Sequence, residues 1–147
     1  MNGPLLSGES IHASTVAIDG RAVLITGPSG SGKSDLALRL LDRGFTLVSD
    51  DQTVVRRSDD RLIASAPAQI AGKLEVRGLG IVEIEAQDDV PVALVVELTS
   101  AIERIPDDNR ERSILGIRVP IVSIDAMTAS APSKVALALD RMGLPLT

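Results

Sequence analysis

The chain has 147 residues, 44% of them hydrophobic and 24% charged, and 15 basic against 20 acidic residues give a net charge of −5. This predicts a single globular domain over residues 1–147, and the acidic balance argues against a surface that coats nucleic acid. The absence of cysteine, tyrosine and tryptophan, with one phenylalanine, excludes disulfides, thiolate metal sites and an aromatic base-stacking pocket. No stretch is long and apolar enough to span a membrane, so we expect a cytoplasmic protein.

The chain begins with a predicted β-hairpin. Residues 11–18 and 21–26 have the pattern of strands, and the Asp-Gly pair at 19–20 is typical of a two-residue turn between them. With two residues in the turn, the register brings His12 opposite Gly27. Histidine commonly exchanges protons near neutral pH, so we predict that this side chain contacts a phosphate or the hydroxyl that attacks it.

A glycine-rich motif follows the second strand. Residues 27–34 fit G-x-x-x-x-G-K-[ST], and the leucine spacing of residues 35–43 predicts a helix that ends at Gly44. In this context backbone N–H groups face phosphate oxygens. Lys33 would neutralise the β- and γ-phosphates, and Ser34 would ligate Mg²⁺. The predicted nucleotide-binding residues are Gly27, Pro28, Ser29, Gly30, Ser31, Gly32, Lys33 and Ser34.

Two adjacent aspartates follow the next predicted strand, residues 45–49. Asp50 and Asp51 therefore lie where acids hold Mg²⁺ or accept a proton from an attacking hydroxyl. Neighbouring strand residues point to opposite sides, so we expect the pair to divide these roles. The spacing leaves open which aspartate is the base.

Several strands then follow one another without intervening helices. Residues 52–57 and 61–66 predict a hairpin, and residues 81–84 and 90–97 predict two further strands. The last of these is almost entirely apolar and is expected to be central in a mixed sheet. Glu97 ends that strand as a metal-binding acid would, but we favour a structural role because the aspartate pair is better placed.

Residues 73–84 combine Glu75, Arg77 and two glycines that permit close approach of the backbone to a ligand. An acid and a base two residues apart are a weak motif by themselves.

The last third of the chain predicts a surface loop over residues 100–113, a strand over residues 119–124 and a C-terminal helix. Ser130 is a suitable residue to cap the start of that helix, and Gly143 is suited to end it. The side chains predicted to line one side of the helix are Val135, Leu139 and Met142.

In this order, His12, the glycine-rich loop, Asp50-Asp51 and the stretch Leu-Glu-Val-Arg-Gly-Leu-Gly-Ile at residues 74–81 resemble the catalytic domain of HPr kinase/phosphorylase. The last stretch is the specific part, and the resemblance covers about residues 9–97. It implies an α/β fold, namely a P-loop kinase domain with a mixed sheet that is similar to phosphoenolpyruvate carboxykinase.

The resemblance also implies a function. The family is bacterial and cytoplasmic, forms homo-oligomers, and uses ATP and Mg²⁺ to phosphorylate a serine of HPr, the phosphocarrier protein of the sugar phosphotransferase system. It often removes that phosphate by phosphorolysis. Carried over by position, the matching residues are the phosphate-binding Lys33, the metal-site residues Ser34 and Glu75, the active-site His12, Arg77 in a segment used in both reaction directions, and the Asp50-Asp51 pair that includes the base.

Two departures from the family pattern stand out. The chain resembles a short form without the separate N-terminal domain of many members, and residues 119–125 lack the Pro-Gly-Arg-Asn pattern of longer members. Two other functions remain open at this point. A small-molecule or nucleotide kinase would share the glycine-rich loop, and a regulatory module could sense ATP without catalysis.

Overall fold

The computed structural model describes residues 8–102 and 110–146, which contain eleven strands, two α-helices and one short 3₁₀ turn at Ala68–Ile70. The helices are α1 (Lys33–Leu41) and α2 (Ala131–Met142). The strands are β1 (Gly8–Ile11), β2 (Ala13–Ile18), β3 (Arg21–Thr26), β4 (Thr46–Ser49), β5 (Thr53–Ser58), β6 (Arg61–Ser65), β7 (Lys73–Val76), β8 (Gly80–Glu83), β9 (Val90–Leu98), β10 (Glu111–Ile114) and β11 (Ile117–Ile124).

Nine strands form one sheet in the order β1-β5-β6-β9-β3-β2-β4, with β11 also beside β9 and β10 beside β11. Strand β3 runs parallel to β9 and antiparallel to β2. Strand β9 also runs parallel to β11 and antiparallel to β6. The predicted mixed sheet is therefore confirmed, with the apolar β9 at its centre. Strands β7 and β8 form a separate hairpin.

The first hairpin has the predicted register. Strands β2 and β3 pair without interruption from Ile18 opposite Arg21 to Ala13 opposite Thr26. The backbone of Asp19, with φ 53, and of Gly20, with φ 78, is left-handed, as a two-residue hairpin turn requires.

The prediction of one continuous strand over residues 11–18 was wrong, because the strand breaks at His12. Ile11 pairs with Thr53 of β5, whereas the chain after the break pairs with β3 and β4. The change of partner exposes the His12 side chain at the break. The β2–β3 ladder also ends one residue short of the predicted pairing of His12 with Gly27.

Helix α1 spans Lys33–Leu41, so it begins and ends two residues earlier than the predicted range of residues 35–43. Its glycine end is as predicted. Gly44 has φ 95, the Phe45 N–H donates to the Leu40 carbonyl at 3.1 Å, and the Gly44 N–H donates to the Leu41 carbonyl at 3.1 Å. These two bonds are those of a Schellman motif, which satisfies the last carbonyls of a helix.

The strand that leads into the glycine-rich loop is buried on both faces. Val23 and Ile25 of β3 pack into the core formed with α1 and α2. Ala22 and Leu24 pack into a second core, to which β5, β6, β10 and β11 contribute. The sheet therefore curls over its own second face, and the position of the glycine-rich loop is determined by two cores.

The prediction of a loop over residues 100–113 was wrong at its C-terminal end; residues 103–109 lie outside the described part. Strand β10 occupies Glu111–Ile114 and pairs with β11, which begins two residues before its predicted start. Leu115, with φ 51, and Gly116, with φ 81, form the turn between them.

Helix α2 has the predicted ends, with Ser130 at its start and Gly143 at its end, but the Ser130 side chain makes no capping hydrogen bond. Val135 and Leu139 are buried in the core, but Met142 is 46% exposed because it lies in the last turn, beyond the core that the helix covers. Neither α1 nor α2 is long and apolar enough to cross a membrane, and this finding holds for the described residues.

An exposed ion pair joins three strands of the sheet. Asp89, which precedes β9, accepts hydrogen bonds from Ser65 of β6 at 2.7 Å and from Arg56 of β5 at 2.8 Å. The Ser65 hydrogen bond, followed by the hydrogen bond and charge of Arg56, lowers the pKa of the Asp89 carboxyl below its ordinary value of 3.8.

We predict that Asp89→Asn lowers the free energy of unfolding at pH 7 by less than about 1 kcal/mol, as for other exposed ion pairs. Because the pKa is lower in the folded chain, this stabilisation is present above pH 3.8 and disappears as the pH falls through the folded-state value. Urea unfolding at pH 7 and at pH 3 measures the difference between variant and wild type. A difference of equal size at both pH values would contradict the prediction.

Candidate active site

The glycine-rich loop connects β3 to α1 and depends on glycine at three positions. Gly30 and Gly32 have φ 80 and φ 100, in the left-handed region that disfavours side chains. A Cβ atom on Gly27 would lie 2.6 Å from Ser31 Oγ and 3.2 Å from Leu98 Cβ, so a side chain there would have to displace its neighbours. Left-handed glycines in a loop at the start of a helix are typical of a cradle of backbone N–H groups that binds phosphate.

The Lys33 side chain lies within this loop. It is 5% exposed, and its Nζ atom donates to the carbonyl oxygens of Gly27 at 3.0 Å and Pro28 at 3.2 Å. Its positive charge is therefore placed beside the cradle. The Ser31 hydroxyl is also buried here and has no hydrogen-bond partner among the residues that the structure describes.

Asp50 is the buried carboxylate of the site, with 7% exposure. Its Oδ1 atom accepts hydrogen bonds from Ser34 Oγ at 2.6 Å and Ser14 Oγ at 2.8 Å. Its Oδ2 atom accepts a hydrogen bond from the Glu75 backbone N–H at 3.0 Å. One carboxylate therefore joins the start of α1, strand β2 and strand β7.

Asp51 points away from this cluster. Its backbone has φ 66, its N–H donates to Ser14 Oγ at 3.0 Å, and its Oδ1 atom lies 2.8 Å from His12 Nε2. The two side chains of this contact are 45% exposed for His12 and 62% exposed for Asp51. The two aspartates thus occupy different environments, one buried and one open.

The β7–β8 hairpin lies beside this cluster, and the hydrogen bond from the Glu75 N–H to Asp50 holds it there. Glu75 is exposed and faces Ile81 across the hairpin, and Arg77 is exposed at its turn. Leu79 is 77% exposed and Ile81 is 71% exposed. The hairpin therefore presents an acid, a base and two large apolar side chains to solvent.

Ser14 is the site residue that sequence reasoning missed. It is fully buried and connects both aspartates, since it donates to the Asp50 carboxylate and accepts from the Asp51 N–H. It lies two residues after His12 and next to Thr15, the other polar residue of β2. Two consecutive polar residues in a strand that continues as Val-Ala-Ile were the available signal.

Glu97, for which we favoured a structural role, contacts two side chains near the end of β9. Its Oε1 atom accepts hydrogen bonds from Ser123 at 3.0 Å and Arg110 at 3.4 Å. These contacts tie the end of β9 to β11 and to the chain before β10.

The oxygen donors of the cluster fit a hard divalent cation. Asp50 and Ser34 provide a carboxylate and a hydroxyl 2.6 Å apart, and Mg²⁺ commonly uses one or two such ligands together with phosphate oxygens and water. No group of three or more His, Asp or Glu side chains in residues 8–102 and 110–146 could hold a metal ion without other ligands. This donor set fits Mg²⁺ bound together with a nucleotide rather than a site made of protein ligands alone.

A family model for the HPr Serine kinase C-terminal domain matches residues 4–137. The chain belongs to this family. It is 34% identical over 141 residues to the HPr kinase/phosphorylase of Lactiplantibacillus plantarum, a match that covers 87% of this chain and 45% of that protein. It is 38% identical over 130 residues to the HPr kinase/phosphorylase of Chlorobium limicola, covering 79% of this chain and 39% of that protein. The chain thus spans less than half the length of these curated relatives.

A solved structure supports the same family at the level of the fold. The HPr(Ser) kinase/phosphatase from Coxiella burnetii superposes with a TM-score of 0.78 at 30% identity and covers 90% of this chain and 94% of that one. This likeness confirms the predicted α/β architecture with a mixed sheet and a P-loop.

We predict that Ser14→Ala lowers the free energy of unfolding by about 1–3 kcal/mol, because the Asp50 carboxylate loses a buried hydrogen bond and the Asp51 N–H loses a partly buried one. Urea unfolding measures the change. The matched control is Ser10→Ala, since Ser10 makes one exposed hydrogen bond to Gln52 and its loss is expected to cost less than about 0.5 kcal/mol. Equal losses in the two variants would show that Ser14 does not hold the aspartates together.

Proposed function

We propose that the chain is an ATP- and Mg²⁺-dependent protein-serine kinase that transfers the γ-phosphoryl group to a serine of the phosphocarrier protein HPr. The observation that carries this proposal is the pairing of Ser34 with Asp50 at 2.6 Å beside the phosphate cradle, with Asp51 next along the chain and open to solvent. Family membership supports HPr as the acceptor.

In this proposal the glycine-rich loop of residues 27–34, called the phosphate loop from here on, binds the nucleotide together with Lys33. The left-handed glycines hold backbone N–H groups toward the phosphates, and the Lys33 ammonium, already beside the Gly27 and Pro28 carbonyls, neutralises their negative charge. Because these groups are fixed before the reaction, little reorganisation is needed as charge develops.

The metal ligands in this proposal are Ser34 and Asp50, with Glu75 on the adjacent strand as a further acid. When bound, Mg²⁺ would neutralise charge on the phosphates. The buried Asp50 carboxylate is held in one orientation by Ser14 and by the Glu75 N–H. Its position is therefore determined by the protein alone.

We assign the role of base to Asp51 rather than Asp50. Both oxygens of Asp50 already accept hydrogen bonds within the protein, whereas the Asp51 side chain is 62% exposed and is reachable by an incoming hydroxyl. The acceptor serine oxygen forms a bond to the γ-phosphorus, its proton passes to the Asp51 carboxylate, and the bond to the bridging oxygen of ADP breaks. His12 orients the Asp51 carboxylate through their 2.8 Å contact.

The family resemblance implies that Arg77 lies in a segment used in both reaction directions. In this chain Arg77 is exposed at the turn of the hairpin that Asp50 anchors. We propose that it contacts the phosphoryl group that moves to the acceptor serine. In phosphorolysis it would contact the phosphoserine, where an oxygen of inorganic phosphate bonds to phosphorus, the serine O–P bond breaks, and pyrophosphate and the free serine are formed. A homo-oligomeric assembly belongs to the same proposal, because the family resemblance implies it.

The test is transfer of labelled γ-phosphate from ATP, with Mg²⁺, to purified HPr from the same organism. Wild-type enzyme is expected to label HPr, while HPr with its acceptor Ser→Ala substitution stays unlabelled. A small-molecule kinase would hydrolyse or transfer the label without HPr, and a regulatory module would bind ATP and form no product. Either result would contradict the proposal.

Variants assign the roles in the same assay. Asp51→Asn is expected to lower turnover at least about 100-fold with little change in nucleotide affinity, because it removes the proton acceptor alone. Asp50→Asn and Lys33→Ala are expected to weaken nucleotide binding in the presence of Mg²⁺ as well. Near-normal turnover of Asp51→Asn would remove this residue from the role of base.

A further inference from the structure

Arg39 connects helix α1 to a distant part of the chain. Its Nη2 atom donates to the carbonyl of Ala126 and its Nη1 atom to that of Thr128 at 3.3 Å, while its Nε atom donates to Asp35 at 3.1 Å. The two carbonyl acceptors are 87 and 89 residues away in the sequence. A surface arginine in the last turn of a helix is commonly explained by its own helix, through an i,i+4 ion pair and the helix dipole. Those effects explain the hydrogen bond from Arg39 to Asp35, but they do not explain its hydrogen bonds to the carbonyls of Ala126 and Thr128.

The carbonyls belong to the loop of residues 125–130, which joins β11 to α2 and which we call the β11–α2 loop. It is a tight turn, in which Asp125 accepts the Met127 N–H at 2.9 Å through its side chain and the Thr128 N–H at 3.3 Å through its carbonyl. Ala126 is 4% exposed within it. Because its carbonyl is held by a charged donor, this loop is tied to α1 at that point.

The β11–α2 loop packs against the phosphate loop. A Cβ atom placed on Gly32 would lie 3.3 Å from Ala126 Cβ, so the alanine methyl group covers the face of Gly32 where a side chain would stand. Gly32 has φ 100 and immediately precedes Lys33. The left-handed backbone on which the cradle depends is therefore supported from outside by Ala126.

We propose that Arg39 is a positioning residue for nucleotide binding: its guanidinium holds the β11–α2 loop so that Ala126 keeps Gly32 and the phosphate loop in the binding-competent conformation. This rests on the proposed nucleotide site. Without Arg39 the buried Ala126 carbonyl loses its donor and the loop shifts to regain one. A smaller fraction of the molecules then has the phosphate loop in the competent conformation, and the apparent affinity for nucleotide falls in proportion to that fraction.

Arg43 provides a matched control. It lies one helical turn beyond Arg39, and its Nη1 atom donates to Ser133 Oγ of α2 at 3.1 Å. It therefore also links the α1 region to the C-terminal part of the chain, but its partner lies outside the β11–α2 loop. Replacing either arginine by methionine keeps much of the aliphatic side chain and removes the donor.

The first measurement is amide hydrogen exchange of residues 27–34 without nucleotide. Arg39→Met is expected to speed exchange in this loop, and Arg43→Met is expected to leave it as in the wild type.

The second measurement is the dissociation constant for ATP with Mg²⁺. In Arg39→Met it is expected to rise about tenfold, equivalent to about 1.4 kcal/mol, while turnover at saturating ATP stays nearly unchanged. Wild-type exchange in Arg39→Met, or equal changes in the two variants, would overturn the proposal.

A second variant tests the step through Gly32. Ala126→Gly keeps the carbonyl that Arg39 binds and removes only the methyl group that covers Gly32, so faster exchange and weaker ATP binding are expected again. If Ala126→Gly exchanges and binds ATP like the wild type, the effect of Arg39 does not pass through the contact between Ala126 and Gly32. The exchange measurement needs no phosphoryl transfer, so the positioning role can fail while the kinase activity stands, and the kinase activity can fail while the positioning role stands.

Discussion

The site depends on one buried carboxylate. Removing an ionised aspartate from water is costly unless its oxygens are hydrogen-bonded, and the effective penalty is several kcal/mol. Asp50 meets this requirement with Ser14 from β2, Ser34 from α1 and the backbone of Glu75 from β7. Three elements distant in sequence therefore have to meet at this aspartate. The hydrogen bonds to Asp50 hold three parts of the chain together: the phosphate loop, the β2–β3 hairpin and the β7–β8 hairpin.

The same arrangement separates the two aspartates. Ser14 accepts the Asp51 N–H while it donates to Asp50, and the left-handed backbone at Asp51 turns the second side chain outward. The outward carboxylate then meets His12 at the break between β1 and β2. A chain that continued as one strand through this position would pair His12 with the sheet. The break is thus what makes the histidine available to the site.

Local signals predicted much of this arrangement. The Asp-Gly turn correctly predicted the register of the first hairpin, because two left-handed residues in a turn leave one pairing of the flanking strands. The glycine-rich motif likewise predicted the loop and the helix that follows it. The adjacent aspartates predicted two side chains that point to opposite sides, as the buried Asp50 and the exposed Asp51 do. Each of these features is encoded within a few consecutive residues.

Features set by distant parts of the chain escaped prediction. The break at His12 arises because β1 pairs with β5, which lies some forty residues further along the chain, and not with the partners of β2. The β10–β11 hairpin was missed because its turn uses Leu115 at φ 51, a conformation in which leucine is rare. Ser14 and Arg39 are ordinary residues in their own segments. Their roles follow from Asp50 and from the β11–α2 loop, which only the fold brings to them.

We propose above that Asp50 and Ser34 form the metal-binding part of a nucleotide site. The decisive measurement is a crystal structure of the chain with Mg²⁺ and a non-hydrolysable ATP analogue. We expect the analogue's phosphates to lie against the backbone of residues 27–34, with the metal ion bound by both Asp50 and Ser34. A metal ion bound elsewhere, at Glu97 for example, or phosphates outside the glycine-rich loop, would contradict it.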